Sequence, residues 1–334
     1  MIVVDKVTKY YGSHAAVRDL SFKIEDGECV GFLGLNGAGK STTLRMLSCL
    51  LLPTSGRITI RGLDAEVEPH EIRKFIGFLP DHPPVYLEMT VAQYLRFAGQ
   101  LRQMKSADLE KRLPEVVETC GLTRVAYDPI GTLSHGYRQR VGIAQAIVHN
   151  PALLILDEPI QGLDPVQIVE MREMIRGLRG KHTILLSMHN LAEIERTCDR
   201  IMMLHGGRVS GFGTEDELSR KYGGAGTIEA TVRVPAGAGG YRGGATAEAS
   251  VRQALASVHG ISSLAFEADV DPVVRVKIEA SGDVREEVSR ALVNANLGLL
   301  GLQEMSTGLE SMFVKLSREA PSLTPPLTGP EVQA

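Results

Sequence analysis

The sequence predicts an α/β domain built on a mostly parallel sheet, followed by a smaller α+β domain. Three observations carry this. Short apolar runs bounded by turn residues, "ECVGFLG" (28–34), "ALLILDE" (152–158) and "HTILLS" (182–187), read as strands buried on both faces. Helical patterns follow each of them within residues 1–220, which puts functional loops at the carboxyl ends of the strands. Beyond residue 220 a glycine-dense stretch gives way to shorter alternating strand and helix patterns.

Taken in order, residues 1–220 form the first domain. Between "IGFLP" (76–80) and "GTLSHG" (131–136) the chain turns mostly helical, with "VAQYLRFAGQLRQM" as its clearest amphipathic segment. A separate helical lobe is expected there, at 82–135. In 221–318 the order "IEATVRV", "SVRQALASV", "SLAFEADV", "VVRVKIEA", "DVREEVSRALVNAN", "LGLLGLQEM" reads βαββαβ, a ferredoxin-like sandwich. "LESMFVKL" (309–316) is expected to close it as a helix. The tail 319–334, with four prolines and few apolar anchors, is expected to be disordered.

Composition narrows the functional classes. The 334 residues are 43% hydrophobic and 23% charged, enough for real cores in about two domains. A net charge of −4 gives no general attraction to nucleic acid. Cys29, Cys49, Cys120 and Cys198 form no CxxC pair and suit a reducing compartment. The N-terminus carries charges by position 6, unlike a signal peptide, and no apolar run approaches a membrane span. The expected location is therefore cytoplasmic, with any membrane role supplied through a partner.

"GLNGAGKST" (34–42) follows a predicted strand and precedes a predicted helix. It fits G-x-x-x-x-G-K-[ST], in which backbone N–H groups of Gly34, Asn36, Gly37, Ala38 and Gly39 can curl around phosphate oxygens. Lys40 would reach the β- and γ-phosphates, Ser41 would ligate Mg²⁺, and Thr42 would continue the cradle. A glycine-rich turn capping a helix is the plain alternative, and the Lys-Ser pair in a strand–loop–helix context weighs against it. "LLILDE" ends a buried strand with Asp157, placed for the Mg²⁺ shell, and Glu158, placed to orient or deprotonate an attacking water. Such a strand end is a weak signal until it is coupled to the phosphate loop. His189 follows the next strand, ahead of a predicted Asn190-x-x-Glu193 capping box, where it could sense a γ-phosphate.

A second anion-binding pattern, "LSHGYRQR" (133–140), lies ninety-odd residues after the first. Together, "GLNGAGKST", "LSHGYRQR", "LLILDEP", "GLDP" and "SMH" occur in the order and spacing of the ATP-binding subunits of ABC transporters. The resemblance covers residues 1–220 and implies a P-loop ATPase that binds ATP and Mg²⁺. It implies that Ser134 and Gly136 contact the γ-phosphate held by a second copy, in a head-to-tail dimer, with Asp164 of "GLDP" in the interface loop. Tyr11 matches the adenine-stacking aromatic, whereas Tyr10 is read as a core residue. The implied partners are a second copy and a multi-spanning membrane permease, with the chain peripheral on the inner face of the membrane and no nucleic acid involved.

Three positions depart from the family pattern. His135 stands where the signature commonly has glycine, and is expected to border the γ-phosphate. Asp81 occupies the usual glutamine position and could face Mg²⁺, while Ile160 replaces a small hydroxyl residue. "LPDHPPVYLEMTVAQYL" and "LESMFVKLS" resemble the ABC-2-type exporters, including the group named for gliding motility. A soluble ABC protein, or an ATP-gated switch in a motility or envelope complex, is the alternative; a translation-type protein would carry two cassettes and a repair-type protein a long coiled coil. Residues 223–304 match no catalytic pattern and read as a regulatory or dimer-supporting module, or as inert packing.

Overall fold

In the computed structural model, which describes residues 1–222, 226–234, 244–268, 273–280 and 282–305, the chain opens with two antiparallel strands, β1 (Ile2–Tyr11) and β2 (His14–Ile24). A parallel strand β3 (Cys29–Leu33) follows and feeds α1 (Lys40–Leu47). Next come β4 (Ser55–Ile60), β5 (Leu63–Asp64), α2 (Pro69–Lys74) and β6 (Ile76–Leu79). The helical stretch holds α3 (Val91–Leu101) and α4 (Ser106–Thr119), with two 3₁₀ turns before α5 (His135–Ile147). The chain then alternates β7 (Leu153–Leu156), α6 (Pro165–Gly177), β8 (Thr183–Met188), α7 (Leu191–Thr197), β9 (Arg200–His205), β10 (Arg208–Gly213) and α8 (Glu215–Tyr222).

Two sheets organise this first unit, Met1–Glu215. One has the order β10-β9-β3-β8-β7-β6, parallel throughout except at β10. Its central strands carry no exposed residue, as continuous apolar runs covered on both faces require. The other sheet, β2-β1-β4-β5, is antiparallel and was not legible in the alternation of runs and helices. A register shift between Val4 and Val7, with Lys6 at φ 47°, breaks the two-residue period of β1 and hides its strand character. The two sheets share one core, in which Phe22 meets Phe32 edge-on with ring centroids 6.1 Å apart and Leu44 and Leu47 of α1 are fully buried.

The helical lobe forms as the amphipathic pattern implies. Thr90 caps α3 in a reciprocal box with Gln93, and Val91, Tyr94 and Leu95 bury its inner face. Tyr86 packs edge-on against Tyr94 and Phe97, and the Tyr94 hydroxyl donates to the Pro84 carbonyl at 2.8 Å. These contacts pin the 81–89 segment to the lobe.

The second unit begins at Asp216. Its strands β11 (Gly226–Arg233), β12 (Ile261–Ala268), β13 (Val273–Ala280) and β14 (Gly298–Met305) form an antiparallel sheet in the order β12-β13-β11-β14. With α9 (Gly244–Leu255) and α10 (Arg285–Asn294) this is the βαββαβ sandwich that the order of patterns predicts. Val251, Leu255, Val288 and Leu292 of the helices are buried with Ile228, Ala230, Val276 and Ile278 of the sheet. The closing helix expected at 309–316 and the tail lie outside the described residues. Among the described residues, no helix is long and apolar enough to cross a membrane.

Candidate functional site

The phosphate loop is the turn between β3 and α1, at the carboxyl end of a central strand. Gly39 caps α1 in the left-handed region at φ 99°, and a Cβ there would lie 2.7 Å from the Ala16 carbonyl oxygen. No acidic residue occupies the first turn of α1, so its positive end is left for an anion. Asn36, Gly37, Gly39, Lys40, Ser41 and Thr42 line a cleft of about 400 Å³. Gly34 and Ala38 shape the loop without lining the cleft: Gly34 gives its carbonyl to Lys40 and Ala38 N–H bonds Leu35 O at 3.1 Å. Lys40 is buried, its Nζ 2.7 Å from the Gly34 carbonyl and 3.4 Å from Glu158 Oε1.

The acidic half of the cleft comes from the carboxyl end of β7. Asp157 is fully buried, and Oδ1 accepts from Ser187 Oγ at 2.6 Å and from Ser41 Oγ at 3.1 Å. Burial raises the Asp157 pKa, the two hydroxyls oppose this, and the nearby charges of Glu158 and Asp81 push it further up. Glu158 has φ 50°, a strained conformation for a side-chain-bearing residue, and its N–H is held by Ser187 Oγ at 2.9 Å. Its carboxylate spans from Lys40 to His189, accepting the Nδ1 proton of His189 at 3.0 Å. Because a carboxylate only accepts, that nitrogen carries the hydrogen.

These residues fit a magnesium ion shared with a nucleotide. Asp157 Oδ2 is buried and makes no hydrogen bond, which leaves one carboxylate oxygen uncommitted beside the Ser41 hydroxyl. Asp81 lines the same cleft and pairs with His82 at 3.1 Å. Among the described residues no group of three or more His, Cys, Asp or Glu could hold a metal by itself. Such a sparse donor set suits a hard cation that keeps its waters and takes phosphate oxygens.

The signature residues stand elsewhere. Ser134 caps α5 by accepting from Tyr137 N at 3.4 Å, and Gly136 is buried against α6, where a Cβ would lie 2.6 Å from Gln167 Oε1. Neither lines the phosphate cleft. Asp164 caps α6, its carboxylate accepting from Gln167 N at 2.9 Å. His135 turns its Nε2 onto the Gln161 carbonyl at 3.0 Å. Ile160 is buried, 7% exposed, in the loop after Glu158. Tyr11 is exposed at the end of β1, paired with His14, and His14 rather than Tyr11 lines the cleft.

Two expectations are corrected. Tyr10 is not a core residue; it is 45% exposed, because the hairpin end projects beyond the sheet. The Asn190–Glu193 capping box does not form: Asn190 makes no side-chain cap, and Glu193 accepts instead from Arg172 at 3.1 Å. A charge-assisted bond to a guanidinium outcompetes one to a neutral amide.

Sequence reasoning missed His14, Ala16 and Gln161, which line the cleft from loops and strands distant in the chain. It also missed Ser187, which is fully buried and joins Asp157 to Glu158. The available signal was a lone hydroxyl in the otherwise apolar strand end "ILLSM" (184–188).

A phosphate loop facing an Asp-Glu strand end across a shared cleft defines a nucleoside-triphosphate-hydrolysing protein of the P-loop class. The family model described as "ABC transporter" matches residues 17–161. The linearmycin resistance ATP-binding protein LnrL of Bacillus subtilis (strain 168) is 32% identical over 323 residues, covering 95% of this chain and 98% of the relative. The bacitracin transport ATP-binding protein BcrA of Bacillus licheniformis is 40% identical over 213 residues, 63% of this chain and 68% of the relative. A solved ATP-binding subunit of an ABC transporter superposes with TM-score 0.61 at 36% identity, covering 67% of this chain and 93% of its own. A dimeric ATP-binding cassette in a post-hydrolysis state, bound to ADP and Pi, does so with TM-score 0.59 at 26% identity, covering 64% and 98%. The chain belongs to the ATP-binding proteins of ABC transporters, and is an ATP-binding ATPase of that family.

Proposed function

We propose that two copies of this chain close head to tail over two Mg-ATP molecules and thereby drive a separate membrane permease. The observation that carries this is the separation within one chain of its phosphate cleft from Ser134 and Gly136. Each copy then holds one half of two sites. The solved dimeric cassette bound to ADP and Pi supports the arrangement.

In each sandwich the phosphate loop binds the triphosphate, and Lys40 leaves its carbonyl partner for the β- and γ-phosphates. Tyr11 takes the adenine beside His14. Ser41, Asp157 and Asp81 would hold Mg²⁺, which would supply neutralisation of charge on the phosphate oxygens. Glu158 orients and deprotonates the attacking water, while His189 steadies the Glu158 carboxylate and faces the γ-phosphate. Ser134 and Gly136 of the second copy complete the cage, and Asp164 lies in the interface loop. Closing and reopening pull on the helical lobe and the pinned 81–89 segment, where the permease docks.

The direction of transport is outward and the group is the ABC-2 type, close to that named for gliding motility. Support comes from "LPDHPPVYLEMTVAQYL" and from relatives named for linearmycin resistance and bacitracin transport. The chain then works from the cytoplasm, peripheral to the inner face of the cell membrane. The second unit supports the dimer or regulates it.

Glu158→Gln tests the reading: with Mg-ATP it accumulates a nucleotide-bound dimer on size exclusion, whereas a variant that stays monomeric and hydrolyses normally contradicts it. Copurification with a multi-spanning membrane protein supports export, and ribosomes or DNA in its place would point to a soluble role.

A further inference from the structure

His135 is a signature residue whose side chain reaches a residue lining its own chain's phosphate cleft, as Gln139 also does through the Asp81 carbonyl. Its Nε2 lies 3.0 Å from the Gln161 carbonyl oxygen, and since a carbonyl only accepts, Nε2 carries the hydrogen and donates. The ring lies along Gly162, where a Cβ would sit 3.4 Å from Nε2. Gly162 has φ 73°, so the loop passes the imidazole in a conformation that glycine adopts without strain.

Both ends of this contact matter. Gln161 lines the cleft with Lys40, Ser41 and Glu158, and its N–H bonds the Glu158 carbonyl at 3.2 Å. His135 follows Ser134 directly at the start of α5. The next residue, Gly136, approaches Gln167 of α6 so closely that a Cβ would lie 2.6 Å from its Oε1, so α5 meets the chain on both sides of the loop 161–164. A glycine at position 135 would have no side-chain donor and would leave only the close approach of Gly136 to Gln167.

We propose that His135 is a positioning residue that couples the two half-sites of one chain. Its bond to Gln161 makes the loop beside the chain's own nucleotide move with Ser134 and Gly136, which serve the nucleotide of the second copy. Occupancy of one cleft therefore prepares the surface offered to the other, and ATP is used cooperatively. The bond is solvent-exposed in the single chain and gains strength when a second copy closes over it and excludes water. This inference rests on the two-copy sandwich proposed above.

The test is ATP hydrolysis by the full chain, at a protein concentration where the native rate per chain no longer rises, with ATP varied. The native chain is expected to show a Hill coefficient approaching about 2. His135→Leu should bring it to about 1 and lower kcat roughly tenfold, with a change in half-saturation smaller than about threefold, as for loss of one orienting hydrogen bond. His135→Gln, which keeps a side-chain N–H donor, should restore most of both. Amide hydrogen exchange of the native chain gives a readout that does not need the leucine variant to fold. A non-hydrolysed ATP analogue should slow exchange at residues 134–138 and 160–164 together. A leucine variant with native cooperativity and rate overturns the proposal, as do segments that respond to nucleotide independently. A native chain with a Hill coefficient of about 1 and a concentration-independent rate overturns the sandwich itself, and that result is visible before any variant is made.

Discussion

Ser187 donates its hydroxyl proton to Asp157 Oδ1 across 2.6 Å, at the carboxyl ends of the neighbouring strands β8 and β7. Ser187 Oγ also accepts the Glu158 N–H at 2.9 Å, so one buried hydroxyl holds the Asp157 carboxylate and the Glu158 backbone together. Ser187→Ala would leave the Glu158 N–H without this partner in a dry setting. A loss of about 1–3 kcal/mol in stability by denaturant unfolding is expected. Hydrolysis should fall more than ATP affinity, because the misplaced group is the water-orienting one. Unchanged stability and rate would remove Ser187 from this role.

Lys40→Ala removes the buried ammonium between the phosphate loop and Glu158. It should weaken ATP binding by at least about tenfold, because a charge-assisted contact to phosphate is among the stronger hydrogen bonds. Isothermal titration in Mg²⁺ reads this directly. Undiminished affinity would contradict the phosphate-loop assignment.

Asp81→Gln returns the position to the neutral side chain usual in the family and removes one negative charge from the cleft. The Mg²⁺ concentration for half-maximal hydrolysis should rise, since a carboxylate attracts the cation more strongly than an amide. An unchanged Mg²⁺ requirement would mean that Asp81 does not face the metal.

His149 is a half-buried imidazole that donates from Nε2 to the Ile76 carbonyl at 3.1 Å, with Nδ1 buried and unpartnered. Burial, with the nearby charge of Arg102, pushes its pKa down to about 4. The folded pKa thus lies below the unfolded one, so the unfolded chain takes up more protons between about pH 6.5 and 4. Stability is present in full above pH 6.5 and falls as pH drops toward 4. His149→Gln should flatten that slope in urea melts at a series of pH values, and an unaltered slope would assign it to other groups.

The sequence made the parallel sheet and the phosphate loop legible because both leave local marks. A fully buried strand is an unbroken apolar run, and a phosphate loop must place glycine and lysine at fixed offsets. The antiparallel sheet was hidden because the bulge around Lys6 breaks its alternation. His14 and Gln161 were hidden for a different reason. They join the cleft through strand order and loop packing, which no local pattern records. The capping box at Asn190 failed because a guanidinium from another helix claimed Glu193.

The most direct test of the account is the hydrolysis rate per chain as protein is diluted at saturating Mg-ATP. The rate per chain is expected to fall with dilution, because each cleft needs Ser134 and Gly136 from a second copy. A verified monomer that turns over ATP at the undiluted rate would contradict it.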